Sequence, residues 1–269
     1  MWKAAQTTQA KDSLFETLPL DVWGNVIEQG GFDALQARSL ALVSQTAKPV
    51  AERVPIRIGC SKRQDFRALL NSILSSSHRP MLNLQKCIQL EDRTRSLRLL
   101  ALILRDSAIQ TLCLAANWFI NIAEFATFLK SLDANASLTS LDISYNVIGA
   151  KGGMALADAL CTNASLTSLD INDNGIGAEG GMALADALCT NASLTSLNIS
   201  SNEIGAEGGI AIAKALRSNA SLTSLDISSN EIGAEGGMAL AEALCVNASL
   251  TSLNTSTNEI GAEGGIALA

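Results

Sequence analysis

The stretch ASLTSLDISYNVIGAKGGMALADALCTN, residues 136–163, decides the fold of this chain, because near-identical copies of it follow at a fixed interval. The period is 28 residues, and the further copies begin at Ala164, Ala192, Ala220 and Ala248. Repeats of about 20 to 50 residues are typical of chains in which each copy is one small unit that buries its apolar face against its neighbours. We therefore expect residues 136–269 to form a stack of five units, the last of them incomplete.

Within one copy the pattern predicts a short strand followed by a helix. Leu141 and Ile143 alternate with polar residues, which predicts a strand over 140–143 with its aliphatic side chains turned inward. After a turn at Ile148 and Gly149, we expect a helix over about 152–161 whose small alanines allow close packing and whose inner face carries Leu156 and Leu160. Since glycine is a poor helix former, we expect Gly152 and Gly153 to belong to the entry turn.

The spacing of Leu138, Leu141, Ile143 and Asn146 resembles L-x-x-L-x-L-x-x-N, the core pattern of leucine-rich repeats, and the repeat is similar to the ribonuclease-inhibitor class. This resemblance implies an α/β solenoid with parallel strands on a concave face and helices on a convex face. The recurring asparagine is expected to satisfy loop N–H and C=O groups that would otherwise be buried without partners. Its copies are Asn146, Asn174, Asn202, Asn230 and Asn258.

The region before the clean copies divides into four parts. Ile109, Leu112, Leu114 and Asn117 fit the same template, so we expect a degenerate repeat over 108–135. Residues 54–107 are interpreted as a helical linker with a degenerate capping repeat, 13–53 as a small helical module, and 1–12 as a flexible N-terminus.

The helical module resembles an F-box in its L-P-x-D-V opening, its first helix and its L-x-x-V-S segment. In that family the module docks on the Skp1 adaptor of a cullin-RING ubiquitin ligase. Together with the repeats, the module resembles the GALA-type effectors that plant-pathogenic bacteria inject into host cells. The docking residues that this resemblance implies are Leu18, Pro19, Asp21, Val22, Ile27, Leu40 and Val43. The alternative interpretation is that residues 13–53 are only a helical cap on the stack.

The two parts of the chain differ in net charge. Residues 1–107 carry 15 Lys and Arg against 10 Asp and Glu, whereas residues 108–269 carry 4 against 16. Binding of phosphate groups needs clustered Lys and Arg, so the acidic repeats argue against nucleic acid and anionic membranes as partners. A basic patch on a partner protein is the better expectation.

The location of the protein is predicted from its N-terminus and its cysteines. The first ten residues lack the apolar core of a secretory signal, and no apolar run is long enough to span a bilayer. We expect Cys161, Cys189 and Cys245 to be buried free thiols on an apolar helix face, which favours a reducing compartment. The chain is therefore expected to act inside a cell, or in the cytoplasm or nucleus of a host cell after injection.

Catalysis is not predicted. The single histidine, His78, cannot build a catalytic triad or a multi-histidine metal site, and no cysteine pair has C-x-x-C spacing. Neither a metal nor a cofactor is expected. The N-x-S triplets at Asn135, Asn163, Asn191, Asn219 and Asn247 are interpreted as turns that close each repeat at the helix end, because they recur once per copy.

The outward residues of the strand segments form the expected binding surface. Aromatic and arginine side chains dominate tight interfaces, and this face is mostly small and polar. Tyr145, with Trp118 in the degenerate repeat, is the aromatic side chain on it, so we place the partner at the N-terminal end. The predicted partner-binding residues are Trp118, Ser140, Asp142, Tyr145, Asp170, Asp173 and Asp226, and Ser144 is expected to point outward beside them. Two functions remain open, an F-box adaptor that recruits a target protein and a freestanding repeat scaffold or inhibitor with no role in ubiquitin transfer.

Overall fold

From β3 onward strands and helices alternate along the chain, and all described strands form one parallel sheet. The computed structural model describes residues 56–57, 81–83, 109–117, 122–133 and 135–268. The strands are β1 (Ile56–Arg57), β2 (Met81–Asn83), β3 (Thr111–Cys113), β4 (Ser140–Asp142), β5 (Ser168–Asp170), β6 (Ser196–Asn198), β7 (Ser224–Asp226) and β8 (Ser252–Asn254). The helices are α1 (Ile122–Asp133), α2 (Gly149–Thr162), α3 (Gly177–Thr190), α4 (Gly205–Leu216), α5 (Gly233–Leu244) and α6 (Gly261–Leu268).

The sheet order follows the chain order from β1 to β8, and every neighbouring pair is parallel. From β4 onward each residue pairs with the residue 28 positions later, as Leu141 does with Leu169. Between β3 and β4 the offset is one residue longer, since Leu112 pairs with Leu141. The predicted solenoid is therefore confirmed, and the extra residue between β3 and β4 does not break the register.

Aliphatic side chains of successive repeats line up into continuous buried columns. Leu141, Ile143, Ile148, Leu156 and Leu160 are each at most 2% exposed. Their equivalents in the next two repeats are buried in the same way and belong to the same core, which also includes Phe125 and Phe128 of α1. A buried side chain of this size contributes about 1.5–3 kcal/mol, and a column needs neighbours on both sides to be covered. The hydrophobic core therefore forms only when neighbouring repeats stack on each other.

The predicted asparagine column is confirmed and connects neighbouring repeats. Asn146, Asn174, Asn202, Asn230 and Asn258 are at most 2% exposed. In Asn202, the side-chain oxygen accepts from the backbone N–H of Asn174 at 3.1 Å. The side-chain nitrogen donates to the carbonyls of Ile171 and Ile199, both at 3.0 Å. Each carboxamide therefore satisfies buried backbone groups of its own repeat and of the one before it.

The N-x-S asparagines do close the repeats at the helix ends, as predicted, and they form a second column. Asn191 is 6% exposed and follows the last residue of α3. Its side-chain nitrogen donates to the carbonyl of Leu160 near the end of α2 at 2.8 Å, and its oxygen accepts from the backbone N–H of Leu194 at 2.8 Å. Helices end with carbonyls that lack intrahelical partners, so this column satisfies the preceding helix while it turns the chain into the next strand.

The prediction for the glycine pair was wrong. Helix α2 begins at Gly149, where φ is +64°, and Gly152 and Gly153 lie inside it. A Cβ atom on Gly153 would lie 3.1 Å from the Cα of Gly180 in α3. A Cβ atom on Gly152 would lie 2.5 Å from Cβ of Ile148 in its own repeat. Gly153 is therefore required by the close approach of the next helix and Gly152 by Ile148, and this packing outweighs the poor helix propensity of glycine.

The cysteine prediction was also wrong. Cys161, Cys189 and Cys245 are exposed. Cys161 directly follows the buried Leu160, and one residue turns a helix by about 100°, so the thiol leaves the apolar side. These cysteines therefore do not support the inference of a reducing compartment.

Candidate protein-binding surface

The outward side chains of the strands form a polar face. In β4 to β7 the middle residue is buried and the two flanking residues are partly exposed, so the expected alternation is confirmed. Ser140 and Asp142 occupy the outward positions of β4. The third residues of β4 to β8 are aspartates or asparagines and form a row that we call the carboxylate row, namely Asp142, Asp170, Asn198, Asp226 and Asn254.

Side chains of the carboxylate row are fixed by hydrogen bonds. The Oδ1 atom of Asp142 accepts from the backbone N–H and the hydroxyl of Ser144, at 3.0 and 2.7 Å. Asp226 and Ser228 repeat this arrangement at 3.0 and 2.6 Å. These contacts hold each carboxylate in one orientation on the strand face.

Ser144 therefore does not point freely outward, contrary to expectation. It is 6% exposed, and Ser200 in the equivalent position is 7% exposed. The hydroxyl of Ser200 donates to the Oδ1 atom of Asn198 at 2.7 Å. Ser144 and Ser200 therefore support the row and contribute little surface of their own.

The second oxygen of each carboxylate contacts the neighbouring repeat. The side-chain nitrogen of Asn198 donates to Oδ2 of Asp170 at 3.1 Å, and that of Asn254 donates to Oδ2 of Asp226 at 2.8 Å. Asp142 instead accepts from the thiol of Cys113 at 3.1 Å. At Asp142 and Asp170, however, two acidic residues pair directly across β4 and β5. The row is thus most acidic at its N-terminal end.

The pKa values follow this difference in environment. Burial raises the pKa of Asp170 above its ordinary value, and the charges of Asp142 and Asp226 raise it further, against hydrogen bonds from Asn172 and Asn198. For Asp226, burial raises the pKa, but hydrogen bonds from Ser228 and Asn254 outweigh it and the net pKa is lowered. Burial, together with the hydrogen bond to Asp142, raises the pKa of Cys113 to about 12, so this residue is a protonated thiol at neutral pH.

The turn after each strand supplies the edge of this face. Tyr145 is 52% exposed and Asp173, its equivalent in the next repeat, is also exposed. Both have positive φ, +57° and +51°, and each directly precedes a buried column asparagine. The structure therefore brings Ser140, Asp142, Tyr145, Asp170 and Asp173 together on two adjacent repeats. Asp226 lies two repeats beyond Asp170 in the same row, and Trp118 lies outside the described residues.

A family comparison agrees with the 28-residue periodicity. The leucine-rich-repeat model matches residues 134–157, 162–185, 190–213, 218–241 and 246–269. Residues 134–269 are five leucine-rich repeats. The matched segments start 28 residues apart, which is the register that the strand pairing shows.

The comparison with solved structures finds several that are similar to this chain. The leucine-rich repeat-containing protein LegL7 from Legionella pneumophila is 24% identical with a TM-score of 0.50, over 73% of this chain and 62% of that one. Actin-binding site 2 of leiomodin-1 is 22% identical with a TM-score of 0.49, over 59% of this chain and 90% of that one. The tropomodulin C-terminal domain of Caenorhabditis elegans is 16% identical with a TM-score of 0.48, over 56% of this chain and 92% of that one. At these identities the likeness to LegL7 concerns the fold alone. No curated protein matches the chain.

Metal binding and membrane insertion find no support in the described part of the chain. Among the described residues, no three His, Cys, Asp or Glu side chains are grouped so that they could hold a metal ion. No helix in the same ranges is long and apolar enough to cross a membrane. The F-box-like residues Leu18 to Val43 lie outside the described ranges, so that resemblance stays a prediction.

Proposed function

We propose that this protein is an adaptor that holds a target protein on its strand face and docks on a Skp1-like subunit through residues 13–53. The single observation that carries the first half is the carboxylate row, whose acidic side chains are held in fixed orientations on a partly exposed sheet. Fixed side chains lose little conformational entropy on binding, which favours recognition of a macromolecular partner. The setting that fits this role is the cytoplasm or nucleus of a host cell.

The target expected on this face has a basic surface. Asp142, Asp170 and the exposed Asp173 lie at the N-terminal end of the face, beside the exposed ring of Tyr145. An aromatic side chain next to several carboxylates suits a Lys- or Arg-bearing partner, because such pairs combine charge with apolar contact. We expect the affinity to fall as the salt concentration rises.

Substitutions at the two ends of the stack test the target site. Tyr145→Ala combined with Asp173→Asn should reduce recovery of the target in affinity purification of the full chain followed by mass spectrometry. Glu259→Gln, which removes the same charge at an exposed turn of the fifth repeat, is the control and should leave recovery unchanged. Equal loss with both variants would contradict the N-terminal end of the strand face as the binding surface.

The proposed Skp1 docking rests on the resemblance of Leu18 to Val22 and Leu40 to Ser44 to an F-box. The full chain should retain purified Skp1 in a pull-down, and Leu18→Ala with Pro19→Ala should abolish retention. The Tyr145→Ala, Asp173→Asn variant should retain Skp1 normally, because it changes only the target site. Failure of the unmodified chain to bind Skp1 would remove the ubiquitin role and favour the alternative, a freestanding scaffold or inhibitor.

A further inference from the structure

The helices carry a second surface on the side away from the strands. The third, sixth and tenth residues of each helix are spaced so that they share one face, and in α2 these are Lys151, Met154 and Asp158. All three are exposed. The sixth residue is apolar in five successive helices, and we call this set the methionine stripe: Met154, Met182, Ile210, Met238 and Ile266.

The methionine stripe concentrates the exposed apolar surface of the described residues. Met154 is 46% exposed, Met182 37%, Met238 39% and Ile266 78%, while Ile210 is partly buried. These account for four of the seven large apolar side chains that are exposed in the described ranges. The alanine that follows each of the first four is partly buried against the core and widens the strip. Contiguous apolar surface of this kind marks interaction sites.

Two rows of charged residues border the stripe. The third helix positions are Lys151, Glu179, Glu207, Glu235 and Glu263, and the tenth positions are Asp158, Asp186, Lys214 and Glu242. Seven of these nine residues are acidic and two are basic, so the borders carry a net charge of −5. An apolar strip between acidic rows complements a helix that has one apolar face flanked by Lys and Arg.

The length of the stripe fits one such helix. Adjacent helices α2 to α6 pack side by side along the stack, and neighbouring helix axes lie about 8–10 Å apart, so five positions span about 30–40 Å. A helix of about 20–25 residues has the same length. Methionine is flexible and polarizable, which suits a surface that adapts to an apolar helix face.

We propose that the methionine stripe binds a cationic amphipathic helix of a partner protein, separately from the strand face. An anionic membrane and a second copy of the chain are less suitable occupants, because neither complements the acidic borders of the stripe. An anionic membrane would be repelled by the acidic borders. A second copy of this face would place acidic rows against acidic rows, and like charges across an interface are unfavourable.

The test uses the full chain and a defined probe. The probe is a fluorescently labelled synthetic helix of about 20 residues with leucines on one face and lysines beside them. Its controls are a peptide of the same composition in scrambled order and a peptide with glutamate in place of lysine. Fluorescence anisotropy should show micromolar binding of the probe and at least about tenfold weaker binding of both controls.

Methionine methyl signals locate the bound peptide. Three of the five methionines of the chain belong to the stripe, and the other two are Met1 and Met81. With ¹³C-methyl labelling, the signals of Met154, Met182 and Met238 should shift on addition of the probe, and those of Met1 and Met81 should stay in place. Shifts confined to Met1 and Met81, or no shifts, would overturn the proposal.

Substitutions distinguish binding at the methionine stripe from nonspecific attraction of the cationic probe to the acidic surface. Combined Met154→Ser, Met182→Ser and Met238→Ser should weaken probe binding about tenfold or more with every border charge retained. Glu207→Lys with Glu235→Lys is a second, independent variant and should weaken binding similarly, most strongly at low salt. Asp142→Asn on the strand face should bind like the unmodified chain. Equal binding by all variants would overturn the proposal.

Two further measurements test the other occupants of the methionine stripe, a second copy of the chain and a membrane. Sedimentation velocity of the unmodified chain and the methionine variant tests self-association, and flotation with phosphatidylserine vesicles tests lipid binding. We expect a concentration-independent sedimentation coefficient and no flotation. Self-association or vesicle binding that the methionine variant loses would assign the stripe to a second copy or to a membrane and would overturn the proposed partner.

Discussion

At the scale of the residue, buried carboxamides determine how the leucine-rich repeats connect. Asn202 lies in the middle of its column and bonds to backbone groups of two repeats. Neither aspartate, which cannot donate when ionised, nor serine, which has one donor, could satisfy the same N–H and C=O groups. The column thus requires asparagine for its chemistry as well as its size.

Replacing this residue should be costly. Asn202→Ala leaves the N–H of Asn174 buried without its acceptor. It also removes one of the two hydrogen bonds that the carbonyls of Ile171 and Ile199 accept. We therefore expect the free energy of unfolding to fall by about 2–3 kcal/mol. Urea unfolding followed by circular dichroism measures the change. Asn254→Ala removes an exposed carboxamide of the same type and should cost less than about 1 kcal/mol. Similar losses for the two variants would contradict the role of the buried column.

The sequence predicted these columns because each asparagine recurs in register with the buried leucines, at the point where the chain leaves a strand. The N-x-S asparagines were also placed correctly at the helix ends. The prediction failed for Ser144 and Ser200, because the period shows which residue recurs and not which way a short hydroxyl side chain turns. The hydrogen bond to the neighbouring carboxylate or carboxamide, which buries these serines, is visible only in three dimensions.

At the scale of the element, close packing between adjacent repeats explains the second glycine of each pair. Propensity favours alanine over glycine inside a helix by about 1 kcal/mol. A Cβ atom on Gly209 would nevertheless lie 2.6 Å from Cγ2 of the fully buried Ile232 in the next repeat. Propensity alone therefore predicted a turn where the structure has a helix, since the deciding contact lies in another repeat.

The fifth helix position offers a matched pair of substitutions with opposite expected signs. Gly209→Ala should lower the free energy of unfolding by about 1–3 kcal/mol, because the added methyl overpacks the contact with Ile232. Gly265→Ala places the same methyl where no atom lies within 4 Å, so it should raise stability by up to about 1 kcal/mol. Thermal unfolding of both variants measures the difference. Stabilisation by Gly209→Ala would contradict the packing explanation.

The cysteine prediction failed because it ignored the phase of the helix. Inner-face residues such as Leu156 and Leu160 lie four apart, and Cys161 is one position beyond them. The third, sixth and tenth residues of α2 lie on its exposed face. Cys161 is the thirteenth residue of that helix and lies on the same face. The same phase places Met154 and Met182 outside, although methionine was not singled out in the sequence.

At the scale of the whole molecule, the sequence predicted the solenoid because one period fixes both the strand pairing and the columns. The strand face followed from the alternation in β4 to β8. The period also makes Asp142 and Asp170 neighbours, and the pairing of β4 with β5 confirms it. The hydrogen bonds that fix the orientation of Asp142 could not be predicted from the sequence, because they depend on the side-chain rotamers. The resemblance of residues 18–44 to an F-box remains a prediction that the Skp1 experiment tests.

The central claim is that residues 28 apart stack in register into one cooperative core. Deletion of residues 164–191 removes one complete repeat and rejoins equivalent positions. We expect this variant to keep its helix content per residue and to unfold in a single transition at a lower temperature. Deletion of residues 164–177 removes half as many residues but takes away β5 and Asn174, which interrupts the columns of the strands and of the buried turn asparagines. Circular dichroism should show loss of cooperative unfolding in the shorter deletion, and equal stability of the two variants would contradict the claim.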